Sequence, residues 1–599
     1  MPQAILLKRG RFSNVAAAVR RLASGLTTAA QFERPQDGRQ SRSRHDAILR
    51  PLVLALSLAG AGLSAAELPH LRAQGTAKQL IVDGQPFLIR GGELGNSTGE
   101  PDFLRPSWPK LQAMNLNTVL VPIYWDVIEP EEGKFDFATL DGLLRDARAN
   151  RMKLVLLWFG TWKNSMSCYA PAWVKRDPAR FPRAEDSAGK GQEIMSPFSP
   201  ANLEADRKAF VALMRHLKAN DAGHTVVMVQ VENEIGMIPE ARDRNAAAEQ
   251  AYAGQVPAAL LDYLERNRAQ LAPEFAATWS AAGGRRSGTW AEVFGPTPAG
   301  EEIFMAWYFA AYTQAVAAAG KAELSLPMYA NAALIRPGYQ PGQYPSAGPL
   351  PHLIDVWRAA APALDFLSPD IYFQNFSYWA QLYTRSGNPL FIPEAMRSPE
   401  AAVNALYAFG QLDAIGFCPF AIESNNEPAA GFLAASFDQV RQLTPLIVEK
   451  QGRGLMAGFL QESAESKQPQ QLRMGAWTIR ASFERAAPPQ LADGLAVVVG
   501  AENTALAAGG RAGAAPAGGL MIALGDDEFL FAGIGLTITF APTEGGGQAG
   551  LLSVEEGRYV DGQWQHLRWL NGDQTHQGRH VRLEPGRFSI QRVKLYRYR

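Results

Sequence analysis

Short apolar runs alternate with helix-like stretches between residue 67 and about residue 450. The apolar runs predict eight strands, at Phe87–Gly91, Thr118–Ile123, Leu154–Phe159, Thr225–Val231, Pro327–Asn331, Phe366–Ile371, Leu390–Pro393 and Ile415–Ile422. The stretches between them predict helices, among them Leu140–Ala149, Leu203–Leu217, Glu302–Ala319, Pro399–Phe409 and Phe437–Val448. Repeated strand–helix units are typical of an α/β fold with parallel strands. We therefore expect a (β/α)8 TIM barrel over residues 67–450, with its active site at the C-terminal ends of the strands.

Two regions depart from this alternation. Residues 239–301 are too many for an ordinary connection. We expect an insertion that shapes the pocket or acts as a lid, with a structural or oligomeric role as the alternative. Beyond residue 452, strand-like runs are separated by Gly, Ala and Pro. These runs are Met474–Ala481, Gly494–Val499, Leu520–Leu524, Phe529–Ile534, Leu536–Phe540 and Phe588–Leu595. They predict an all-β accessory domain, sandwich-like in form, over residues 452–599.

Residues 1–66 have the pattern of a leader with a signal peptide. The apolar run Pro51–Leu63 follows Arg50 and precedes the small residues Ser64–Ala66, which suit cleavage before Glu67. Thirteen apolar residues fit the hydrophobic region of a signal peptide better than a membrane span, although an uncleaved anchor is the alternative. We expect export to the periplasm or the medium, with no membrane attachment after cleavage.

Charge and cysteine content exclude several classes of function. Residues 1–50 hold ten of the 58 Lys and Arg and three of the 58 Asp and Glu, so the remainder carries a net charge of −7. An acidic chain of this kind gives no reason to expect a nucleic-acid partner. The two cysteines, Cys168 and Cys418, are too few for a multi-cysteine zinc site or a disulfide framework. Neither a metal-ligand cluster nor a dinucleotide fingerprint stands out, so we expect no metal and no cofactor. The sequence leaves the oligomeric state open.

Two of the predicted strands end on glutamates. The apolar run Val226–Val231 leads into Glu232, Asn233 and Glu234, and a second run ends on Glu394. Carboxylates are costly to bury unless they are paired or used. Two carboxylates at strand tips suit glycoside hydrolysis, in which one protonates the leaving oxygen. In a retaining enzyme the other attacks the anomeric carbon from about 5 Å away.

The residues around Glu234 resemble a known family. The segment from Gln230 to Gly236 resembles the acid/base motif of glycoside hydrolase family 35, the β-galactosidases of clan A. The segment Val121–Phe137 is similar to the second strand and following loop of that family, and its Glu-Pro-Glu-Glu-Gly-Lys-Phe-Asp-Phe run also resembles family 42. The resemblance implies a retaining double displacement on a terminal β-galactoside, with Glu234 as acid/base and Glu394 as nucleophile. It also implies that Glu394 is ionised and keeps Glu234 protonated near neutral pH.

The chain departs from the family 35 pattern at two strand ends. Leu157–Asn164 replaces a Gly-Pro-Tyr-Ile-Cys-Ala-Glu-Trp run and is closer to family 42, and Gly92–Asn96 replaces a His-Tyr pair. Galactose is therefore implied less firmly than the retaining mechanism. The alternatives are another clan A exo-β-glycosidase, such as a β-glucosidase or β-glucosaminidase, and an inactive carbohydrate-binding protein.

Other polar and aromatic residues fall at the predicted catalytic face. Asn233 is expected to donate to the sugar 2-hydroxyl, and Glu232 to have a structural role. Clan A enzymes often place a tyrosine against the nucleophile, which implies that position for Tyr372. Further candidate substrate contacts are Glu93, Tyr124, Trp158, Trp162, Asn331 and Glu423.

Overall fold

The computed structural model of this chain describes residues 67–485, 515–570 and 572–599. The predicted leader and the predicted strand Gly494–Val499 lie outside the described residues. Within the described ranges, no helix combines the length and the apolar character that crossing a membrane requires.

Eight parallel strands close into a barrel. They are β1 (Ile89–Glu93), β2 (Thr118–Tyr124), β3 (Lys153–Lys163), β4 (Val226–Asn233), β5 (Met328–Ala333), β6 (Phe366–Ile371), β7 (Phe391–Ala395) and β8 (Gly416–Pro419). Neighbours in sequence are neighbours in the barrel, and β8 pairs with β1. Every strand overlaps a predicted one, so the TIM-barrel prediction is confirmed.

The strands are apolar because both of their faces are buried. On β2, Leu120 points into the barrel, where it joins a cluster with Val155 and Leu157 of β3. Its neighbours Val119 and Val121 belong to the cluster formed with the surrounding helices. A strand buried on both faces has no polar face, which explains the uninterrupted apolar runs.

Helices surround the barrel where the sequence predicts them. The longer ones are Ala138–Ala149, Pro200–Asn220, Pro298–Glu323, Ile354–Ala360, Phe376–Leu382, Ala401–Gln411 and Ala429–Lys450. Shorter helices lie at Pro101–Leu104, Trp108–Ala113, Trp125–Ile128 and Ala172–Lys175. Two of the helices have N-caps that explain where they begin. The Ser199 side chain accepts a hydrogen bond from the Asn202 amide and that of Thr297 from the Gly300 amide, and a proline follows each cap.

The insertion packs against the outer layer of the barrel. It contains the helices Ala246–Tyr252, Ala258–Arg266, Pro273–Ala281 and Trp290–Phe294. Leu260, Phe275 and Trp290 are buried in the same hydrophobic cluster as the barrel helices. The insertion helices are therefore part of the outer layer, and the role of the insertion stays a prediction.

A small antiparallel sheet closes the N-terminal end of the barrel. Its strands are His70–Gln74, Ala77–Val82 and Gln85–Pro86. Leu80 and Val82 join the apolar cluster of the barrel interior. Access to the interior is therefore left to the opposite end, where the strands terminate.

The C-terminal region consists of two antiparallel sheets. One contains Met456–Leu460, Gly518–Gly525, Glu528–Ile534, Gln548–Val560, Gln563–Trp569 and Ser589–Tyr598, and the other Gln470–Met474, Trp477–Phe483, Leu536–Pro542 and Val581–Leu583. Their facing sides bury a common core that includes Ile479, Phe531 and Val593. The outer side of the larger sheet, through Leu520 and Ile590, packs into the cluster of the barrel helices. The prediction of an all-β, sandwich-like region is confirmed.

Candidate active site

Glu234 is fixed by backbone contacts to both neighbouring strands. Its amide donates to Oδ1 of Asn331 at 3.0 Å, and its carbonyl accepts from Ser165 at 3.0 Å. The backbone of Glu234 has φ +45° and that of Glu232 φ +63°, both in the left-handed region. The strand is therefore irregular at its tip, and the pleat that would place the two glutamates on one side is lost.

Three carboxylates meet above the barrel. Glu234, Asp370 and Glu394 each contribute an oxygen, and these oxygens lie within 4.8 Å of one another. All three side chains are buried, and Asp370 on β6 lies opposite Glu394 on β7 in the sheet register. The closeness of Glu234 and Glu394 fits the roughly 5 Å of a retaining pair, whereas an inverting pair is about 6.5–9.5 Å apart.

The spacing of these three oxygens would also admit a metal ion. Two of the carboxylates instead receive short hydrogen bonds. Asn331 Nδ2 donates to Asp370 Oδ2 at 2.7 Å, and the Tyr372 hydroxyl donates to Glu394 Oε2 at 2.5 Å. These hydrogen bonds from Asn331 and Tyr372 hold the two carboxylates in position.

Amide side chains connect the two catalytic candidates. Asn331 Nδ2 also lies 3.4 Å from Glu394 Oε1 and 3.3 Å from Asn233 Oδ1. Gln230 Nε2 donates to the same oxygen of Asn233 at 2.9 Å. With Oδ1 occupied, the buried Nδ2 of Asn233 has no hydrogen-bond partner among the described residues. It is a free donor beside the carboxylates.

The burial of Glu93 and Asp370 changes their acidity. Burial, followed by the negative charge of Glu394, raises the pKa of both carboxyls well above the usual range. The surroundings thus favour the protonated form of both side chains. A proton on Glu93 is within hydrogen-bonding reach of Glu394.

Glu394 itself titrates near neutrality. Burial and then the charge of Glu234 raise the pKa of Glu394 to about 7, against the opposing effects of Lys163 and the Tyr372 hydrogen bond. The expectation of a Glu394 that is simply ionised is therefore too simple. Its ionised fraction grows as the pH rises through 7.

Six of the predicted site residues converge at this position. They are Glu234, Glu394, Asn233, Asn331, Tyr372 and Glu93. The sequence analysis missed Asp370, Lys163 and Asn164. The amide of Asn164 donates to Glu234 Oε2 at 2.5 Å, and its place in the segment that departs from family 35 was the available signal.

Two predicted tryptophan contacts must be corrected. Trp158 and Trp162 are both fully buried. The Trp158 indole donates to Asp206 at 2.8 Å, and that of Trp162 donates to the Met195 carbonyl at 3.1 Å. Their rings pack on Phe210 and Tyr312 of the surrounding helices. They are core residues between the barrel and its helices.

Tyr124 and Glu423 brace loops instead of joining the cluster. The Tyr124 hydroxyl donates to the Asn96 carbonyl at 2.8 Å, and both Glu423 oxygens lie 3.3 Å from the Gly95 amide. Both residues therefore hold the loop that follows β1. Neither has a contact with Glu234 or Glu394 in the described structure.

Glu232 has the structural role expected of it. Its Oε2 accepts from the Trp162 amide at 2.7 Å. Burial and then the charge of Asp206 raise the pKa of Glu232 well above its usual range. Glu232 thus interacts with the backbone of Trp162 and with Asp206 behind the tip of β4.

Comparison with known proteins adds two family matches. Residues 103–318 match the model of glycoside hydrolase family 42, described as "Beta-galactosidase". Residues 433–582 match a "Domain of unknown function (DUF5597)", which begins within the last barrel helix. The first match supports the resemblance to family 42 seen in Val121–Phe137, and the assignment to family 35 is not supported.

Curated relatives match over limited segments. A "Beta-galactosidase" of Xanthomonas manihotis is 28% identical over 199 residues, which is 31% of this chain and 30% of that protein. "Beta-galactosidase-1-like protein 3" of Mus musculus is 30% identical over 172 residues, covering 27% and 24%. "Beta-galactosidase 13" of Arabidopsis thaliana is 24% identical over 206 residues, covering 32% and 23%. The chain thus spans less than a third of the length of these relatives.

Solved structures of β-galactosidases are also similar to this chain. The enzyme of Marinomonas ef1 is 13% identical, with a TM-score of 0.42 over 63% of this chain and 62% of that one. The family 42 β-galactosidase Gan42B is 15% identical, with a TM-score of 0.42 over 63% and 59%. The architecture described above is that of a TIM barrel, and the clustered carboxylates lie at the C-terminal ends of its strands.

Proposed function

We propose that this protein is a retaining exo-β-galactosidase that removes terminal β-galactosyl residues from oligosaccharides or polysaccharides. The observation that carries the proposal is the meeting of Glu234 and Glu394, with oxygens within 4.8 Å, at the C-terminal ends of β4 and β7. Catalytic residues of TIM barrels lie at these strand ends. The separation suits attack by one carboxylate and protonation by the other.

In the first step, Glu394 attacks the anomeric carbon while Glu234 protonates the glycosidic oxygen. The bond between the anomeric carbon and the glycosidic oxygen breaks, the aglycone leaves and the sugar is held as an ester of Glu394. In the second step, Glu234 removes a proton from water, the water oxygen attacks the anomeric carbon, and the ester bond to Glu394 breaks. Sugar is released with its original anomeric configuration and both glutamates return to their starting states.

The surrounding donors fit these steps. Tyr372 holds Glu394 Oε2 at 2.5 Å, whereas Oε1 has only the longer 3.4 Å contact with Asn331, so Oε1 suits attack. The free Nδ2 of Asn233 suits the sugar 2-hydroxyl, whose hydrogen bond strengthens in the transition state. The carboxyls are deeply buried, with Glu234 5% and Glu394 3% exposed, which suits a pocket for a chain end and an exo mode of action.

The choice of galactose draws on the family match and on the names of the curated relatives. The test is hydrolysis of 4-nitrophenyl β-glycosides by the chain from Glu67 onward. Selective release from the β-galactoside is the expected result. Preference for the glucoside or glucosaminide would leave the proposed mechanism in place and make the protein a different clan A exo-β-glycosidase. A folded protein that binds galactosides without releasing any product would be a carbohydrate-binding protein.

We also propose export of the chain, supported by the apolar run Pro51–Leu63 and the small residues that follow it. Fractionation of cells that express the whole chain, with N-terminal sequencing of the product, tests this proposal. A periplasmic or secreted protein that begins at Glu67 is expected. A cytoplasmic protein with an intact leader would contradict it.

A further inference from the structure

We infer that Lys163 and Glu93 bind the 3- and 4-hydroxyls of the terminal sugar and so set the sugar specificity of the pocket. This inference rests on the proposed function and extends it to two residues outside the catalytic pair. It follows from the unpaired polar groups that these side chains bring to the pocket, from their place on the barrel rim and from the charges around them.

Lys163 is a buried cation without a hydrogen-bond acceptor. The residue is 5% exposed, and in the described part of the chain its ammonium group makes no hydrogen bond or salt bridge. Nζ lies 5.0 Å from the ring centre of Phe159, which points into the barrel interior. The ammonium is therefore placed above the barrel axis, where a substrate oxygen would complete its coordination.

Glu93 offers the complementary group. Neither of its buried oxygens receives a hydrogen bond from a donor in residues 67–485, 515–570 or 572–599. Glu93 interacts with the neighbouring carboxyl of Glu394, which leaves at least one oxygen of Glu93 unused. An unsatisfied buried carboxyl is costly, and a sugar hydroxyl can both donate to it and accept from it.

The order of strands around the barrel indicates which hydroxyls these groups meet. The anomeric carbon lies between Glu394 on β7 and Glu234 on β4, with the 2-hydroxyl at Asn233 of β4. From β4, the next strands around the rim in one direction are β3, β2 and β1. Lys163 ends β3 and Glu93 ends β1. The ring atoms beyond C2, which are C3 and C4, lie over this half of the rim.

The charges favour a neutral sugar. Four carboxyl groups, those of Glu93, Glu234, Asp370 and Glu394, interact electrostatically in this pocket, with Lys163 as the cation that acts on Glu93 and Glu394. A uronate or a sulfated sugar would add a negative charge beside these groups and be repelled. A sugar hydroxyl adds no charge to this cluster and can accept a hydrogen bond from the Lys163 ammonium.

Lys163 could instead serve as a counter-charge that favours ionised Glu394. That role would affect every substrate equally, whereas hydroxyl binding affects only sugars that carry the hydroxyl. The experiment measures kcat/KM for 4-nitrophenyl β-galactoside, its 3-deoxy and 4-deoxy analogues, and the β-fucoside, which lacks only the 6-hydroxyl. The proteins are the wild type, Lys163→Met and Glu93→Gln.

Wild-type kcat/KM should fall roughly 10²–10⁴-fold when the 3- or 4-hydroxyl is removed, because buried polar groups are then left unpaired. In each variant, kcat/KM for at least one of these two deoxy analogues should be less than about tenfold below that for the parent galactoside. Removal of the 6-hydroxyl, tested with the fucoside, should change kcat/KM by the same factor in the variants as in the wild type. Lys153→Met is the matched control: Lys153 begins β3, donates to the His224 carbonyl and Asp83, and should leave the wild-type pattern intact.

If each variant lowers kcat/KM by the same factor on all four substrates, the inference is overturned and Lys163 is a counter-charge. It is also overturned if the variants differ from the wild type only in their response to removal of the 6-hydroxyl. If Lys163→Met does not fold, the wild type alone tests the inference: an unchanged kcat/KM on the 3-deoxy and 4-deoxy analogues would overturn it. A wild type that hydrolyses no β-glycoside would overturn the proposed function and this inference together, so the two failures are distinguishable.

Discussion

The side-chain amide of Asn164 donates a 2.5 Å hydrogen bond to Oε2 of Glu234. The backbones of the same two segments are also joined, since the Asn164 amide donates to the Asn233 carbonyl at 3.1 Å. Asn164 has φ +50° and Ser165 has φ +69°, so the end of β3 turns sharply to reach the tip of β4. The proposed acid/base is thus oriented by a neighbouring strand.

Replacement of Asn164 by alanine should weaken catalysis through Glu234. Glu234 becomes a carboxylate as it gives up its proton, and loss of a hydrogen bond to a charged group is worth about 1.5–3 kcal/mol. We therefore expect kcat/KM to fall roughly 10–100-fold. The loss should be greatest for galactosides with poor leaving groups, which depend most on the general acid. Asn267→Ala, at the end of an insertion helix, is the matched control. An equal effect on good and poor leaving groups would contradict this role.

Replacement of Glu234 by glutamine should remove the acid and the base together. We expect slow hydrolysis that recovers best with dinitrophenyl galactosides, because these leave without protonation. Added azide should speed the second step, since it attacks without a base, and should yield the β-galactosyl azide. Product analysis by NMR checks this result. A folded variant that neither good leaving groups nor azide rescues would argue against Glu234 as acid/base.

The pH dependence of activity should report the ionisation of Glu394. Because Glu394 attacks as a carboxylate and its pKa is raised to about 7, kcat/KM should fall as the pH drops below this value. The Tyr372 hydrogen bond lowers the pKa of Glu394, so Tyr372→Phe should move the acid limb of the profile to higher pH. Tyr407→Phe is the control, as its hydroxyl accepts from Gln381 on the outer layer. An unmoved acid limb in Tyr372→Phe would contradict the assignment.

The same titration should appear in stability. Glu394 has a usual value of 4.5 and a folded pKa of about 7, so the folded state binds the proton more tightly than the unfolded state. Its contribution is therefore fully present below pH 4.5 and is lost as the pH rises through about 7, on the order of 3 kcal/mol. Urea unfolding of Glu394→Gln should show a gain relative to the wild type that grows from pH 5 to pH 8, about the range of this titration. A difference that does not vary with pH would refute this account.

The barrel could be predicted because its strands are buried on both faces, which leaves an uninterrupted apolar run in each. The C-terminal strands Gln470–Met474 and Gln563–Trp569 were not predicted, since their residues are largely exposed and polar. Their pairing with neighbouring strands, which no local pattern encodes, makes them strands.

The candidate site could be predicted only where residue type and strand tip coincided. Glu234 and Glu394 met both conditions. Trp158 and Trp162 were misplaced because the pairing of β3 with β4 shifts between Trp158 and Lys163, so the alternation of faces cannot be counted through it. Lys163 lies beyond the predicted strand Leu154–Phe159, and its burial depends on the closure of the whole barrel.

The central claim is that Glu394 forms a covalent bond to the sugar. The most direct test is incubation with 2,4-dinitrophenyl 2-deoxy-2-fluoro-β-galactoside, whose fluorine slows breakdown of the intermediate, followed by mass spectrometry of proteolytic peptides. The account predicts one dinitrophenolate released per protein and a fluorogalactosyl group on the peptide that contains Glu394, with no label on a folded Glu394→Gln variant. A label on another residue, or steady hydrolysis of the parent galactoside without any label, would contradict it.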